Sequence, residues 1–284
     1  MTVISNPSGR RESANPAYAV RASGELAVAE LVPGPACPLC DGTGRVVTVR
    51  ENQVRMVARC RCQLVPDRIA RFNRAGVPAR HAASTLTSFA MGMGRSEGAT
   101  KAYTEIDAWK RRFDDAYRED RTWPGLLLYG AVGRGKTHLL VGLVRWMIMD
   151  LGADVRFVEF SRLLAMLREG YDKGQSDRTL LNELVTVPVL AIDELGKGRL
   201  TDWELSVVDE LVSRRYDAMA CTLATTNYGP GLPTGRGTLN LAEGARLTPT
   251  LVDRVGDRVY SRLRDMTEFI EVTGLDYRLL RDRE

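Results

Sequence analysis

Eight consecutive residues, Gly130-Ala131-Val132-Gly133-Arg134-Gly135-Lys136-Thr137, fit the pattern G-x-x-x-x-G-K-[ST], and each residue type in it has a task in holding phosphate. The glycines let successive main-chain N–H groups close around phosphate oxygens, and a helix starting there adds a favourable field for an anion. Lys136 is expected to reach the β- and γ-phosphates and Thr137 to hold Mg²⁺ through its hydroxyl, with His138 completing the binding stretch. A second stretch, Val187-Pro-Val-Leu-Ala-Ile-Asp-Glu194, is an apolar run ending in two acids. A strand there would deliver Asp193 beside the phosphate loop to position Mg²⁺, and Glu194 to polarise an attacking water. A third run, Cys221-Thr-Leu-Ala-Thr-Thr-Asn227, ends in a polar residue. Asn227 would then sit between the two motifs, near the γ-phosphate, where it can orient the lytic water.

Four cysteines form a separate constellation. Cys37 and Cys40 make a C-x-x-C, and Cys60 and Cys62 a C-x-C. Residues 46–57 between them alternate in character like a small hairpin, with Glu51-Asn52-Gln53 near its tip. Such a hairpin brings four thiolates to one point, which suits tetrahedral Zn²⁺; unrelated surface cysteines or a redox pair are the competing readings. Four thiolates leave no coordination position open, so the role expected of the metal is structural. In so small a segment, metal binding would supply the folding energy. Cys221 begins an apolar run and reads as a small core filler.

These residues need elements to carry them. Gly125-Leu-Leu-Leu-Tyr129 reads as a buried parallel strand before the phosphate loop, and residues 138–150 as the helix after it. Upstream, residues 1–35 carry Pro, Gly, Ser and Arg with few large apolar residues and read as a disordered leader, with a possible helical turn over 25–31. Residues 66–75 read as a short basic helix stopped by Gly76, 77–89 as an extended linker, and 97–118 as a long helix capped by Ser96 with Ala102, Ile106, Trp109 and Phe113 on its apolar side. Downstream come a strand over 154–160, helices over 162–169 and 177–185, a helix over 203–220, a Gly/Pro-rich loop over 229–249, one helix over 250–264 and a last strand over 268–272. Arg254, Arg258 and Arg262 recur every four residues and would share a face of that last helix.

The bulk numbers bound the answer. With 284 residues and 44% hydrophobic content, the chain can bury one large core plus a small appendage. A net charge of +4 permits nucleic acid as a partner without requiring it. No apolar run is long enough to span a membrane and no signal-peptide core opens the chain, so the expectation is a soluble cytoplasmic protein.

From residue 126 to 278 the order of these motifs resembles the AAA+ ATPases, and more narrowly the bacterial helicase loaders of the DnaC/DnaI type and the related IstB transposition helper ATPases. The resemblance is carried by Tyr171-Asp-Lys-Gly-Gln-Ser176, Ile192-Asp-Glu-Leu-Gly196, Arg214-Arg-Tyr216 before Thr226-Asn227, Asp257-Arg-Val-Tyr-Ser-Arg-Leu263 and Asp276-Tyr-Arg278. The cysteine segment and the stretch Val77-Pro-Ala-Arg80 to Phe89 are similar to parts of some loaders as well. It implies a P-loop α/β fold: an AAA+ domain (96–284) with a five-stranded parallel sheet flanked by helices, behind a linker (76–95) and a small zinc-binding module (36–75). It implies ATP as nucleotide, Asn227 as sensor 1, and Arg262 as the best match to the finger that reaches a neighbouring subunit's ATP, with Arg258 its competitor. The function implied is an oligomeric ATPase in DNA replication that loads a replicative helicase and touches single-stranded DNA. The alternatives are a transposition helper that binds duplex DNA and a transposase, and a nucleotide-dependent binding switch with little turnover.

Overall fold

The computed structural model describes residues 18–32, 36–49, 54–92, 96–172, 178–198, 200–231 and 249–277. Two antiparallel ribbons come first. Tyr18–Ser23 (β1) pairs with Leu26–Leu31 (β2), so the expected leader is structured over this part, and strand replaces the helical turn expected over 25–31. The inward residues Ala27 and Ala29 are small and fully buried, which makes the alternation hard to see by hydrophobicity. Residues 1–17 lie outside the described residues. Arg45–Val49 (β3) pairs with Arg55–Arg59 (β4) as the expected hairpin, whose tip at 50–53 is outside the described residues.

The helix Val65–Ala75 (α1) stops at Gly76 in the left-handed conformation, as expected, but it packs on the main core rather than on the cysteines. Phe72 and Ala75 are buried there, Asn73 exchanges two hydrogen bonds with the main chain of Ala29, and Arg68 donates to Met149 O at 2.6 Å. The stretch expected to be an extended linker is partly helical. Leu86–Gly92 (α2) buries Phe89, because Val77 and Phe89 join the same core. Glu97–Arg118 (α3) is capped by Ser96, whose Oγ accepts from Ala99 N, and Trp109 Nε1 donates to Gly125 O at 3.1 Å.

Gly125–Tyr129 (β5) sits inside a parallel five-stranded sheet. The sheet's other strands are Val155–Glu159 (β6), Val189–Asp193 (β7), Cys221–Thr226 (β8) and Thr267–Glu271 (β9), in the order β6-β7-β8-β5-β9. Continuous apolar runs are what a sheet covered on both faces requires. Leu126, Leu128, Val189, Ala191 and Leu223 face α3 and the helix Lys136–Trp146 (α4), while Leu127, Leu190, Ile192 and Ala224 face the other layer. That second layer is built from Phe160–Asp172 (α5), Arg178–Thr186 (α6) and Asp202–Asp217 (α7). Leu251–Val255 (α8) and Asp257–Met266 (α9) complete it. The single helix expected over 250–264 is broken at Gly256, which adopts φ +82° and ψ 159°, a conformation that L side chains avoid. Arg254 is thereby turned away from Arg258 and Arg262: it donates to Gly198 O and lies over the Tyr228 ring. The described part of the 229–249 loop ends at 231 and resumes at 249. No helix among the described residues is long and apolar enough to cross a membrane.

Arg215, near the end of α7, is 1% exposed. Its guanidinium donates to the carbonyls of Leu184, Val185, Val187 and Cys221 and to Thr222 Oγ1, tying the end of α6 to the starts of β7 and β8. Burial lowers its pKa to about 10, so it remains charged at neutral pH. Removing it strands several buried carbonyls at once. Arg215→Ala is expected to cost roughly 3 kcal/mol or more in urea-induced unfolding, with Arg215→Lys intermediate because a single ammonium serves fewer acceptors.

Candidate nucleotide-binding site

The phosphate loop joins β5 to α4 at the carboxyl end of the sheet, where parallel α/β sheets place ligands. Gly133 and Gly135 adopt left-handed φ of +81° and +85°, turning the loop so that α4 begins directly at Lys136. The Lys136 side chain folds over its own loop and donates to Gly130 O and Ala131 O at 2.8 and 2.7 Å. Ala131 and Val132 form the exposed crest of the loop.

Asp193 ends β7, one strand removed from β5, and is 1% exposed. Its Oδ1 accepts from Thr137 Oγ1 at 2.9 Å and from Thr225 Oγ1 at 2.6 Å. Burial raises its pKa and the two hydroxyls oppose that rise. Its Oδ2 is buried and makes no hydrogen bond. A lone carboxylate oxygen beside a threonine hydroxyl is the donor set of a hard divalent cation, so these residues fit Mg²⁺. Glu194 follows with a left-handed φ of +59°, its N–H donating to Thr225 Oγ1 at 2.9 Å. Its carboxylate pairs with Lys197 Nζ at 2.5 Å, and Lys197 also lies 3.9 Å from Glu159, which in turn lies 3.9 Å from Arg80. Asn227 is half-buried just past β8, next to Thr226, whose hydroxyl donates to Leu195 O.

Two predicted binding residues turn elsewhere. His138 Nε2 lies 3.0 Å from Thr85 O and 2.8 Å from Ser88 Oγ, and its ring lies against Phe89. A carbonyl can only accept, so Nε2 carries the proton; burial holds the ring's pKa down and keeps it neutral. His138 thus fastens residues 85–89 to the start of α4. Arg134 donates to Gly274 O, Tyr277 N donates to Gly133 O at 3.1 Å, and a Cβ added at Gly133 would stand 2.0 Å from an Asp276 carboxylate oxygen. The segment after β9 therefore lies directly on the phosphate loop; Arg278 is outside the described residues.

The candidate finger arginines lie on α9. Arg262 is 22% exposed and donates to Asp209 Oδ1 at 3.2 Å; Arg258 is 72% exposed, with Nη1 3.5 Å from Asp209 Oδ2. Apart from the nucleotide site, the four cysteines converge as expected. Their sulfurs all lie within 4.8 Å of one another, with Cys37–Cys60 at 3.8 Å and Cys40–Cys62 at 3.6 Å. A tetrahedron with ~2.3 Å from centre to sulfur has edges of about 3.8 Å, so the cluster fits Zn²⁺. Gly44 N–H and Gln63 Nε2 point at the sulfurs of Cys40 and Cys62. Thr225, Lys197 and Asp209 were not found from the sequence. Only Thr225 left a trace there, as one of the hydroxyls ending an otherwise apolar strand.

A family model described as IstB-like ATP binding protein matches residues 120–282, more than half of the chain. The replicative helicase loader DnaC of Escherichia coli (strain K12) is 23% identical over 194 residues, 68% of this chain and 68% of its own length. The insertion sequence IS21 putative ATP-binding protein of Pseudomonas aeruginosa is 34% identical over 105 residues, 37% of this chain and 38% of its own length. Among solved structures, one titled as the crystal structure of the DnaC helicase loader matches with a TM-score of 0.54 and 24% identity, covering 68% of this chain and 99% of that one. The likeness is one of fold: an AAA+ α/β domain with five parallel strands flanked by helices.

The two hydroxyls on Asp193 make Thr225 a direct probe of the site. Thr225→Val keeps the shape and removes one donor, leaving the buried carboxylate half-supported. It is expected to lower stability by about 1–3 kcal/mol in urea unfolding, whereas the same change at exposed Thr48 should cost nothing measurable.

Proposed function

The chain belongs to the IstB-like ATP-binding protein family, and on that premise we propose that it is an ATP-hydrolysing helicase loader acting in DNA replication. In this reading the loop from Gly130 to Thr137 holds the triphosphate through main-chain N–H groups, and Lys136 swings from its own loop carbonyls to the β- and γ-phosphates. Thr137 and Asp193 would hold Mg²⁺, which would supply positive charge against the triphosphate. Glu194, released from Lys197, polarises the attacking water, and Asn227 orients it. The unpaired Asp193 Oδ2 is the observation that supports this reading most directly, because a buried carboxylate oxygen without a donor is costly unless a cation uses it.

The choice of loader rests on the length of the match: 194 residues with a helicase loader against 105 with the IS21 protein. The proposed partners are a replicative helicase, gripped through the cysteine module with structural Zn²⁺ at Cys37, Cys40, Cys60 and Cys62, and single-stranded DNA. Subunits self-associate so that an arginine of α9 completes a neighbour's site. The second reading, a transposition helper acting on duplex DNA with a transposase, is favoured by the higher identity to the IS21 protein, 34% against 23%.

Lys136→Ala is expected to abolish binding of a fluorescent ATP analogue in equilibrium titration, and wild-type binding to require a divalent cation; binding by the variant at wild-type affinity rejects this nucleotide site. The partner is tested by affinity purification of the tagged chain with a slowly hydrolysed ATP analogue, followed by mass spectrometry. The loader reading expects a hexameric replicative helicase, lost when Cys60→Ser removes one equivalent of bound zinc. Recovery of a transposase instead moves the protein to the second reading.

A further inference from the structure

The β3–β4 hairpin has an inner and an outer face. Val46, on the inner face, packs beside the four cysteines. In the register of the pair, Arg45 stands opposite Arg59, Val47 opposite Val57 and Val49 opposite Arg55. Opposed residues share a face, and faces alternate along a strand, so Arg45, Arg55, Val57 and Arg59 all lie on the face turned from Val46. All four are exposed, Val57 to 67%. Among the described residues no carboxylate pairs with any of the three arginines. Like charges directly opposite one another destabilise a ribbon unless something anionic lies between them. Arg45 and Arg59 are such a pair, and both line a recess of about 540 Å³ together with Thr43, Val57 and Gln63. Gly44, at φ +69°, makes room there for the Gln63 amide: a Cβ at Gly44 would stand 3.0 Å from Gln63 Nε2.

Two guanidiniums and an amide around one recess suit a phosphate, since each guanidinium offers its oxygens a fork of donors. Arg55 lies four residues along β4 from Arg59, about 14 Å at the usual rise of a strand. One small anion cannot span that distance, and a polymer of phosphates can. The surrounding sequence has the same sign. Residues 42–66 hold Arg45, Arg50, Arg55, Arg59 and Arg61 against Glu51 as the single acid, and they include no aromatic residue. Without aromatic rings, unstacked bases find no platform, so the face suits a backbone whose bases are enclosed. A duplex is such a polymer: it carries one charge per ~1.7 Å, and its major groove, about 12 Å wide, admits a two-stranded ribbon. We infer that the outer face of the cysteine hairpin binds the phosphate backbone of double-stranded DNA without reading its sequence. One phosphate sits in the Arg45–Arg59 recess and another at Arg55. This surface is independent of the nucleotide site and goes beyond the helicase contact proposed for the same module.

The test is fluorescence anisotropy of a short labelled duplex of mixed sequence, titrated with the full-length chain without nucleotide over a range of salt. Counterion release gives a log–log salt slope of about −0.9 for each phosphate neutralised. Arg45→Ala/Arg59→Ala is expected to weaken binding about tenfold at low salt and to make the slope shallower by about 1; adding Arg55→Ala removes about 1 more. Arg45→Lys/Arg59→Lys should keep most of the affinity, because the charges remain. Lys101→Ala/Arg111→Ala removes the same charge from exposed positions of α3, and should leave affinity within about twofold. Bound zinc and the urea midpoint are read on every variant, and Arg45→Ala/Arg59→Ala should match the wild type in metal content. Where it does not, Arg45→Gln/Arg59→Gln, which keeps the aliphatic stems, takes its place.

Wild-type affinity and an unchanged slope in Arg45→Ala/Arg59→Ala overturn the proposal. An equal loss from the α3 pair overturns it too, because that is an effect of net charge and not of this face. If the hairpin change costs more affinity for a single strand of the same sequence than for the duplex, the assignment to double-stranded DNA falls. The same holds if the hairpin arginines are needed more for vesicles of phosphatidylserine and phosphatidylcholine than for the duplex, since the face then belongs to an anionic membrane. None of these results touches Lys136 or Asp193, so the ATPase reading stands or falls separately.

Discussion

A carboxylate buried to 1% exposure is the constraint around which this domain is built. Asp193 cannot be solvated, so its charge has to be met by groups the fold brings to it. Thr137 from α4 and Thr225 from β8 each donate to Oδ1, so the phosphate helix, the acidic strand and its neighbour are held in register by one side chain. The same threonine hydroxyl that supports Asp193 also accepts from Glu194 N–H, which stabilises the left-handed turn after the strand. Two hydroxyls are weak compensation for a buried charge, and Oδ2 has none. An environment that disfavours the bare anion is one that rewards binding a metal.

The regions in front of the sheet are part of the same body. β1 and β2 lean on α1 through the Asn73 amide, α1 reaches the main chain of Met149 just after α4 through Arg68, and His138 takes hold of residues 85–89 immediately after the phosphate loop. Each of these is a polar contact made at a buried or partly buried boundary, where misplacement costs more than at the surface. The cysteine cluster stands apart from this arrangement. Its core consists of the four sulfurs with Leu39 and Val46 beside them, too little apolar surface to fold without a crosslink or a metal.

The sequence made the sheet and the nucleotide motifs legible because their signals are local: a glycine-rich loop between an apolar run and an amphipathic one, and two further apolar runs ending in acids or amides. The capped start of α3 at Ser96 and the stop of α1 at Gly76 were readable for the same reason. The rest depended on distant partners. Alanines facing inward hid β2, since a residue without bulk betrays its burial only when α1 is in place. A glycine five residues after Leu251, the first residue of α8, did not announce that the helix would end at Val255. Arg215 looked like one of many arginines on a charged helix, and nothing local told that five acceptors from α6, β8 and Val187 would surround it. His138 stood in the binding motif by position, yet its ring is claimed by the chain fifty residues earlier.

The strand that leads into the phosphate loop lies between β8 and β9, both of which come later in the chain, and the loop itself is braced by Gly274, 140 residues beyond Arg134. During synthesis, Leu126, Leu127 and Leu128 must leave the ribosome with neither neighbour yet made. At a translation rate of ~5–20 residues per second, that interval is on the order of ten seconds. Through it the nascent chain carries an unpaired apolar strand and a phosphate loop without its brace. The phosphate loop gains its brace only once the last strand has docked, so its final form depends on the whole sheet having closed.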